Sequence, residues 1–271
     1  MKIKMGFNEY REEDEAIIGS TSEAACENKA VKSVVQVRFP SKGRSYSYYN
    51  DKFDLQEGDI VFVDGKLEGI RGIVTDVKRS FKINLSDYKR VISVANTEVK
   101  GELFFGGSNL IAFEKNVIPY EKVRGWFMPP ENEEDIVSGY DDTGFILGDW
   151  KSFDAKPEVI EKGLEYYTDD KVIYLCVENN FGKAIVEGSR MYEVTFEYSS
   201  GEIKNLTCSC FCSYHCKHEI AVLMQLKETI DFTEKYKASE CSNIDYFAAI
   251  NKFLLLSYAA GGRKNKSIIF K

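Results

Sequence analysis

The sequence predicts an α+β protein: a small β-barrel in the N-terminal half, then a β-sheet-plus-helix unit clasped by a cysteine–histidine cluster, and a C-terminal helix. Three observations predict it. Between Val34 and Val94, short apolar runs alternate with glycine-rich turns and carry no helical spacing. After Pro157, one helically spaced segment is followed by strand-like runs and then by a second amphipathic segment. Between those runs and that second segment stand four of the 7 cysteines and both of the 2 histidines. A chain of 271 residues exceeds what one small core needs, so two modest folded units are expected. An apolar content of 44 % with 13 % aromatics is a globular composition.

The first 30 residues lack clear periodicity and read as a partly helical leader (1–30). They open on Met-Lys-Ile-Lys-Met and turn acidic at Arg11–Glu15, where a secretory signal would become apolar. No run approaches the ~18 apolar residues of a membrane span. A cytoplasmic location is therefore expected, where clustered thiols bind metal more often than they form disulfides. The net charge of −7 is unevenly distributed: residues 31–100 carry +4, 101–155 carry −7 and 156–230 carry −4.

The predicted barrel occupies 31–120. Val35, Val37 and Phe39 alternate with Gln36 and Arg38, and Pro40–Gly43 is a turn cluster. Tyr46, Tyr48 and Phe53 continue a β-rich composition, and Glu57–Val63 forms a strand ending at the hairpin-type dipeptide Asp64-Gly65. Gly72–Val77 and Val91–Val94 complete the set. Residues 121–155 read as an acidic connector, broken by Pro129-Pro130 and charged at Glu131–Asp135. In 156–230, Val159, Ile160, Leu164 and Tyr167 share a helical face. Strands follow at Val172–Val177, Lys183–Glu187, Tyr192–Tyr198 and, past the turn Ser199–Gly201, Glu202–Thr207. From Glu219 a helix carries Ile220, Leu223, Met224 and Leu226 toward a core. Residues 231–271 form a helical extension, with a last helix over 244–258.

The cluster reads Cys208-Ser-Cys210, five further residues, then Cys216-Lys-His218. Residues two apart on an extended strand point the same way, so Cys208 and Cys210 reach one ion together. Cys216 and His218 precede a helix, whose positive N-terminus favours a thiolate. Three thiolates and one neutral imidazole form a closed tetrahedral set for one structural Zn²⁺, with Zn–S near ~2.3 Å and no open position for catalysis. Cys212 and His215, inside the spacer, are competing candidates. Cys176 lies in an apolar run and reads as core filling.

This segment resembles the SWIM zinc finger, written C-x-C, a variable spacer, then C-x-H, between strands and a helix. Gly182–Val194 is similar to that family's lead-in, and the resemblance covers roughly 156–230. The spacer is short for the family and lacks the proline that often follows the second cysteine. The resemblance implies Cys208, Cys210, Cys216 and His218 as ligands and DNA or protein as partner. Many SWIM domains accompany helicase-like ATPases, which makes such an ATPase a candidate protein partner. This sequence has no P-loop and no G-x-G-x-x-G of its own.

Gly58–Val77 is similar to the KOW pattern of SH3-like barrels, which contact RNA or proteins. Around it, Arg38, Lys42, Arg44, Tyr46, Tyr48 and Lys52 interleave cations with rings, the composition that single-stranded nucleic acid needs. The same tyrosines also suit a half-buried strand whose lysines and arginines solvate the outer face. No constellation of acid, base or nucleophile stands apart from the cluster, and no small-molecule substrate is evident. The expected function is a non-enzymatic adaptor associated with DNA or RNA. The alternative is a protein-interaction module that docks a basic partner through its acidic middle and the zinc unit.

Overall fold

The computed structural model describes residues 32–130, 139, 143–149, 153–212, 214–236, 246–260 and 269–270. The leader (1–30) and the charge run 131–135 lie outside the described residues.

Among the described residues, two sheets and four α-helices make an α+β fold. The first sheet contains β1 (Ser33–Phe39), β2 (Arg44–Asn50), β3 (Ile60–Val63), β4 (Gly72–Lys78) and β5 (Val91–Val94). Their order is β2-β1-β4-β3-β5, with antiparallel neighbours throughout. Alternation in β1 is the reason for its place: Val35, Val37 and Phe39 are buried and Arg38 is exposed. They pack with Val61, Val63, Val74 and Val91 into a core of their own. The small β-barrel expected over 31–120 gives way to an open five-stranded sheet. Closure would need a ladder between edge strands β2 and β5, and these meet only at one parallel bridge, Tyr49 to Arg90. Nor is Asp64-Gly65 a tight hairpin, since the whole stretch from Asp64 to Arg71 separates β3 from β4.

The second sheet has nine strands: β6 (Glu102–Gly106), β7 (Asn109–Ala112), β8 (Gly144–Ile146), β9 (Val172–Glu178), β10 (Phe181–Glu187), β11 (Met191–Ser199), β12 (Glu202–Cys208), β13 (Tyr246–Asn251) and β14 (Ile269–Phe270). Its order is β14-β6-β7-β13-β9-β10-β11-β12-β8, antiparallel except for the β6–β14 pair. Two expectations change here. Glu102–Ala112, expected in the barrel, belongs to this second sheet, and the helix expected over 244–258 begins as strand β13. β13 pairs with both β7 and β9, and its interior position buries Ala248, Ala249 and Ile250. The ladder bonds and two covered faces outweigh the helical preference of a Phe-Ala-Ala-Ile run.

The sheet separates two apolar layers. On one face, α1 (Tyr120–Phe127) and α4 (Lys252–Ala260) supply Val123, Trp126, Phe127, Leu255 and Tyr258. On the other, α2 (Pro157–Thr168) and α3 (Lys217–Tyr236) cover Val172, Leu175, Val186, Val194 and Phe196. β9 is buried on both sides, which is why its sequence is continuously apolar. The register slip opposite Ile185/Val186 leaves Ile173 as an extra residue, so Ile173 and Tyr174 both join the first layer. Asn179 and Asn180, both at positive φ, turn β9 into β10. The tract expected as connector is structured where described: Trp126 is fully buried in α1, and β8 pairs with β12.

Helices α2 and α3 meet at Gly163. A Cβ there would lie 2.3 Å from both Cβ and Cγ2 of Ile220. Gly163→Ala is expected to destabilise the protein by about 1–3 kcal/mol through overpacking, despite alanine's better helix propensity. A urea midpoint at or above that of the parent would refute this.

Candidate metal centre

β12 ends at Cys208, and Cys210 lies just beyond the ladder, while Cys216 and His218 bracket the first residue of α3. Strand end and helix start converge, so that one ligand atom from each of Cys208, Cys210, Cys216 and His218 lies within 4.8 Å of the other three. His218 Nδ1 is 3.7 Å from Cys208 Sγ and 3.7 Å from Cys216 Sγ. A tetrahedral zinc site has an S···N edge of about 3.5 Å, from Zn–S ~2.3 and Zn–N ~2.05 Å. The four residues form a group that can hold one metal ion.

Three contacts at Ser209 hold the first cysteine pair. Its N–H donates to Glu193 O at 2.9 Å, its hydroxyl accepts the Glu193 N–H at 2.9 Å, and its carbonyl accepts from Arg190 at 3.1 Å. The Glu193 carboxylate in turn receives Tyr120 Oη and, at 2.8 Å, Arg124 Nε from α1. The second pair is set by a helix cap. Glu219 accepts the Cys216 N–H at 2.9 Å, which is half of a capping box. The His218 ring stacks on Tyr192 at 4.2 Å and 22° and meets the edge of Tyr166 at 5.4 Å. His218 Nε2 is buried with no hydrogen-bond partner among the described residues, so Nδ1 is the nitrogen turned to the sulfurs.

Thiol electrostatics agree with a site built for a cation. Cys216 is pulled down to about 4, chiefly by the hydrogen bond from Cys208, with help from His218 and the Glu219 backbone amide. Cys208, as the donor in that bond and partly buried, is pushed far up, and burial raises Cys210 to about 11. Burial opposes ionisation of all three thiols, and a bound cation would let them ionise together.

The spacer candidates stand outside the group. Cys212 is exposed. His215 Nδ1 lies 3.1 Å from Glu219 Oε2, and its ring packs on Phe153 at 4.2 Å. That hydrogen bond raises the His215 pKa, while burial raises that of Glu219. Cys176 is buried in β9 and its thiol is raised to about 11 by desolvation, in keeping with core filling.

No family model matches the chain. It is similar to an uncharacterized protein of Methanocaldococcus jannaschii, at 29 % identity over 104 residues. That match covers 38 % of this chain and 44 % of the relative, less than half the length of either. No solved structure matches.

The other residues singled out in the sequence lie on the first sheet. Arg38, Lys42, Arg44 and Lys52 are exposed around the β1–β2 hairpin, and Tyr46 is 41 % exposed. Tyr48 is 6 % exposed and meets Phe39 edge-on at 5.9 Å, so it belongs to the core and offers no ring face to a ligand. The register pairs Arg44 with Phe39 and Arg38 with Ser45. Arg44 and Arg38 therefore stand on opposite sides of the ladder, and Lys52 lies past Asn50 at the end of the hairpin away from the tip, so the cations form no single stripe. Among the described residues, no helix is long and apolar enough to cross a membrane.

Sequence reasoning missed Ser209, Glu193, Arg190 and Tyr192 as supports of the cluster. Glu219, three residues after Cys216, did carry a local signal, the capping-box spacing.

Proposed function

We propose that this chain is a non-enzymatic adaptor of the SWIM type, which binds one structural Zn²⁺ and associates with nucleic acid. The observation that carries the reading is the convergence of three thiols and one imidazole from a strand end and a helix start. Soft sulfur donors favour zinc over hard cations, and four protein ligands leave no position for water or substrate. Bound there, the metal would join β12 to α3 and stiffen the loop between them. The nucleic-acid part is supported by Arg38, Lys42 and Arg44, exposed at the hairpin tip and without an ion pair among the described residues.

Two measurements test the reading. Elemental analysis of the purified chain should find one zinc per molecule. Fluorescence anisotropy with labelled single- and double-stranded DNA and RNA should show binding that falls steeply with salt. Three phosphate contacts, one for each of these cations, predict about a 20- to 40-fold loss of affinity between ~50 and ~200 mM salt. Absence of binding to all four probes at ~50 mM salt would overturn the nucleic-acid part and leave the zinc part standing.

A further inference from the structure

The loop between the two ligand pairs presents two rings to solvent. Phe211 is 92 % exposed and Tyr214 86 %, more than any other large apolar side chain among the described residues. Folding has no use for rings in such positions, since they bury almost nothing. A column of planar groups stands behind Phe211. His218 stacks on Tyr192, the Arg190 guanidinium lies 5.3 Å from the Tyr192 ring, and the same guanidinium lies 5.2 Å from the Phe211 ring. The column therefore runs from a metal ligand out to solvent and ends on an open aromatic face. Two cations, Arg190 and Lys217, lie in residues 188–192 and 207–218, which contain no carboxylate; the acids that flank them are Glu193 and Glu219. Both acids are engaged: Glu193 is paired with Arg124 and accepts from Tyr120, and Glu219 accepts the Cys216 N–H and meets His215 Nδ1.

We infer that this loop is a stacking platform for single-stranded nucleic acid, with unpaired bases on Phe211 and Tyr214 and phosphates beside Arg190 and Lys217. The inference rests on the nucleic-acid reading above and gives it a place. Rings alternating with cations suit a strand whose bases and phosphates alternate in the same way. Arg190 spends one Nη2 N–H on the Ser209 carbonyl, and a guanidinium between two rings keeps its remaining edge N–H groups for a phosphate. Duplex bases are stacked on both faces and offer none to a ring, which makes the expected partner single-stranded. A loop anchored at both ends by ligands loses little freedom when a strand docks.

The test uses the full zinc-loaded chain, a fluorescein-labelled deoxythymidine 15-mer and a duplex of equal length, at ~50 mM salt. Phe211→Ala and Tyr214→Ala should each weaken binding of the single strand by about 5- to 150-fold while zinc content stays at one per chain. Phe211→Tyr, which keeps a ring, should bind as the parent does. Parent binding with no loss in either alanine variant would overturn this inference and leave the nucleic-acid reading intact; rings that serve a protein partner would give that result. No binding by the parent would overturn both. Equal losses on single strand and duplex would also overturn stacking, because only an unpaired base can use the ring.

Discussion

Cys208→Ala and His218→Ala are each expected to release the metal and lower the thermal midpoint by about 10 °C, whereas Cys212→Ala should retain both metal and midpoint. Structural zinc is worth on the order of 10 kcal/mol in isolated fingers, which are unfolded without it. In this fold α3 is held by Ile220, Leu223 and Leu226 in the core, so the helix would not depend on a bound metal alone. A net loss of ~4 kcal/mol then corresponds to ~8–16 °C, at roughly 2–4 °C per kcal/mol for a chain of this size. The first sheet has its own buried cluster and should keep its strands after chelation. Calorimetry with zinc analysis checks these outcomes. If a variant fails to accumulate, titrating the parent with a chelator gives the same readout. Zinc loss from Cys212→Ala equal to that from Cys208→Ala would overturn the ligand set.

Trp126→Ala should destabilise the protein by about 3–5 kcal/mol, the range for truncating a fully buried large aromatic. Trp126 is 0 % exposed. Its ring stacks on Tyr258 at 5.6 Å and 18°, and its Nε1–H donates to Asn96 O at 2.6 Å. Asn96 follows β5 of the first sheet and Tyr258 lies on α4, so truncation removes the side chain that packs these elements together. Arg71, 4.4 Å over the other partner ring, Tyr258, would lose part of its support. Trp126→Phe keeps the ring contact but not the hydrogen bond and should cost less. A shift in denaturation free energy below ~1 kcal/mol for the alanine variant would refute the assignment of Trp126 as the centre of this contact.

The metal group was legible in the sequence because its geometry is local. The members of each ligand pair are two positions apart, and strand and helix periodicity alone decide that the members of a pair can face one ion. Which four of the six Cys and His side chains converge was less legible, because it depends on Glu219 and Phe153 engaging His215. β1, β4, β5, α2 and the run from β9 to β12 were readable for the same local reason, as alternation or helical spacing within one segment.

Long-range pairing was invisible to such patterns. Nothing in Phe247-Ala-Ala-Ile250 says strand; β13 exists because β7 and β9 offer ladders on both of its sides. The barrel expected over 31–120 became an open sheet because its last strands, β6 and β7, found partners at the far end of the chain. Tyr48 illustrates the same limit on a single side chain: alternation places it on one face of β2, and only the packing of Phe39 against it made that face the interior. Sequence spacing alone thus determined which residues can hold an ion, since ligand pairs two apart need only local geometry. Tertiary structure decided which strands share a sheet and which rings stay in water, since both depend on contacts between distant segments that no local period encodes.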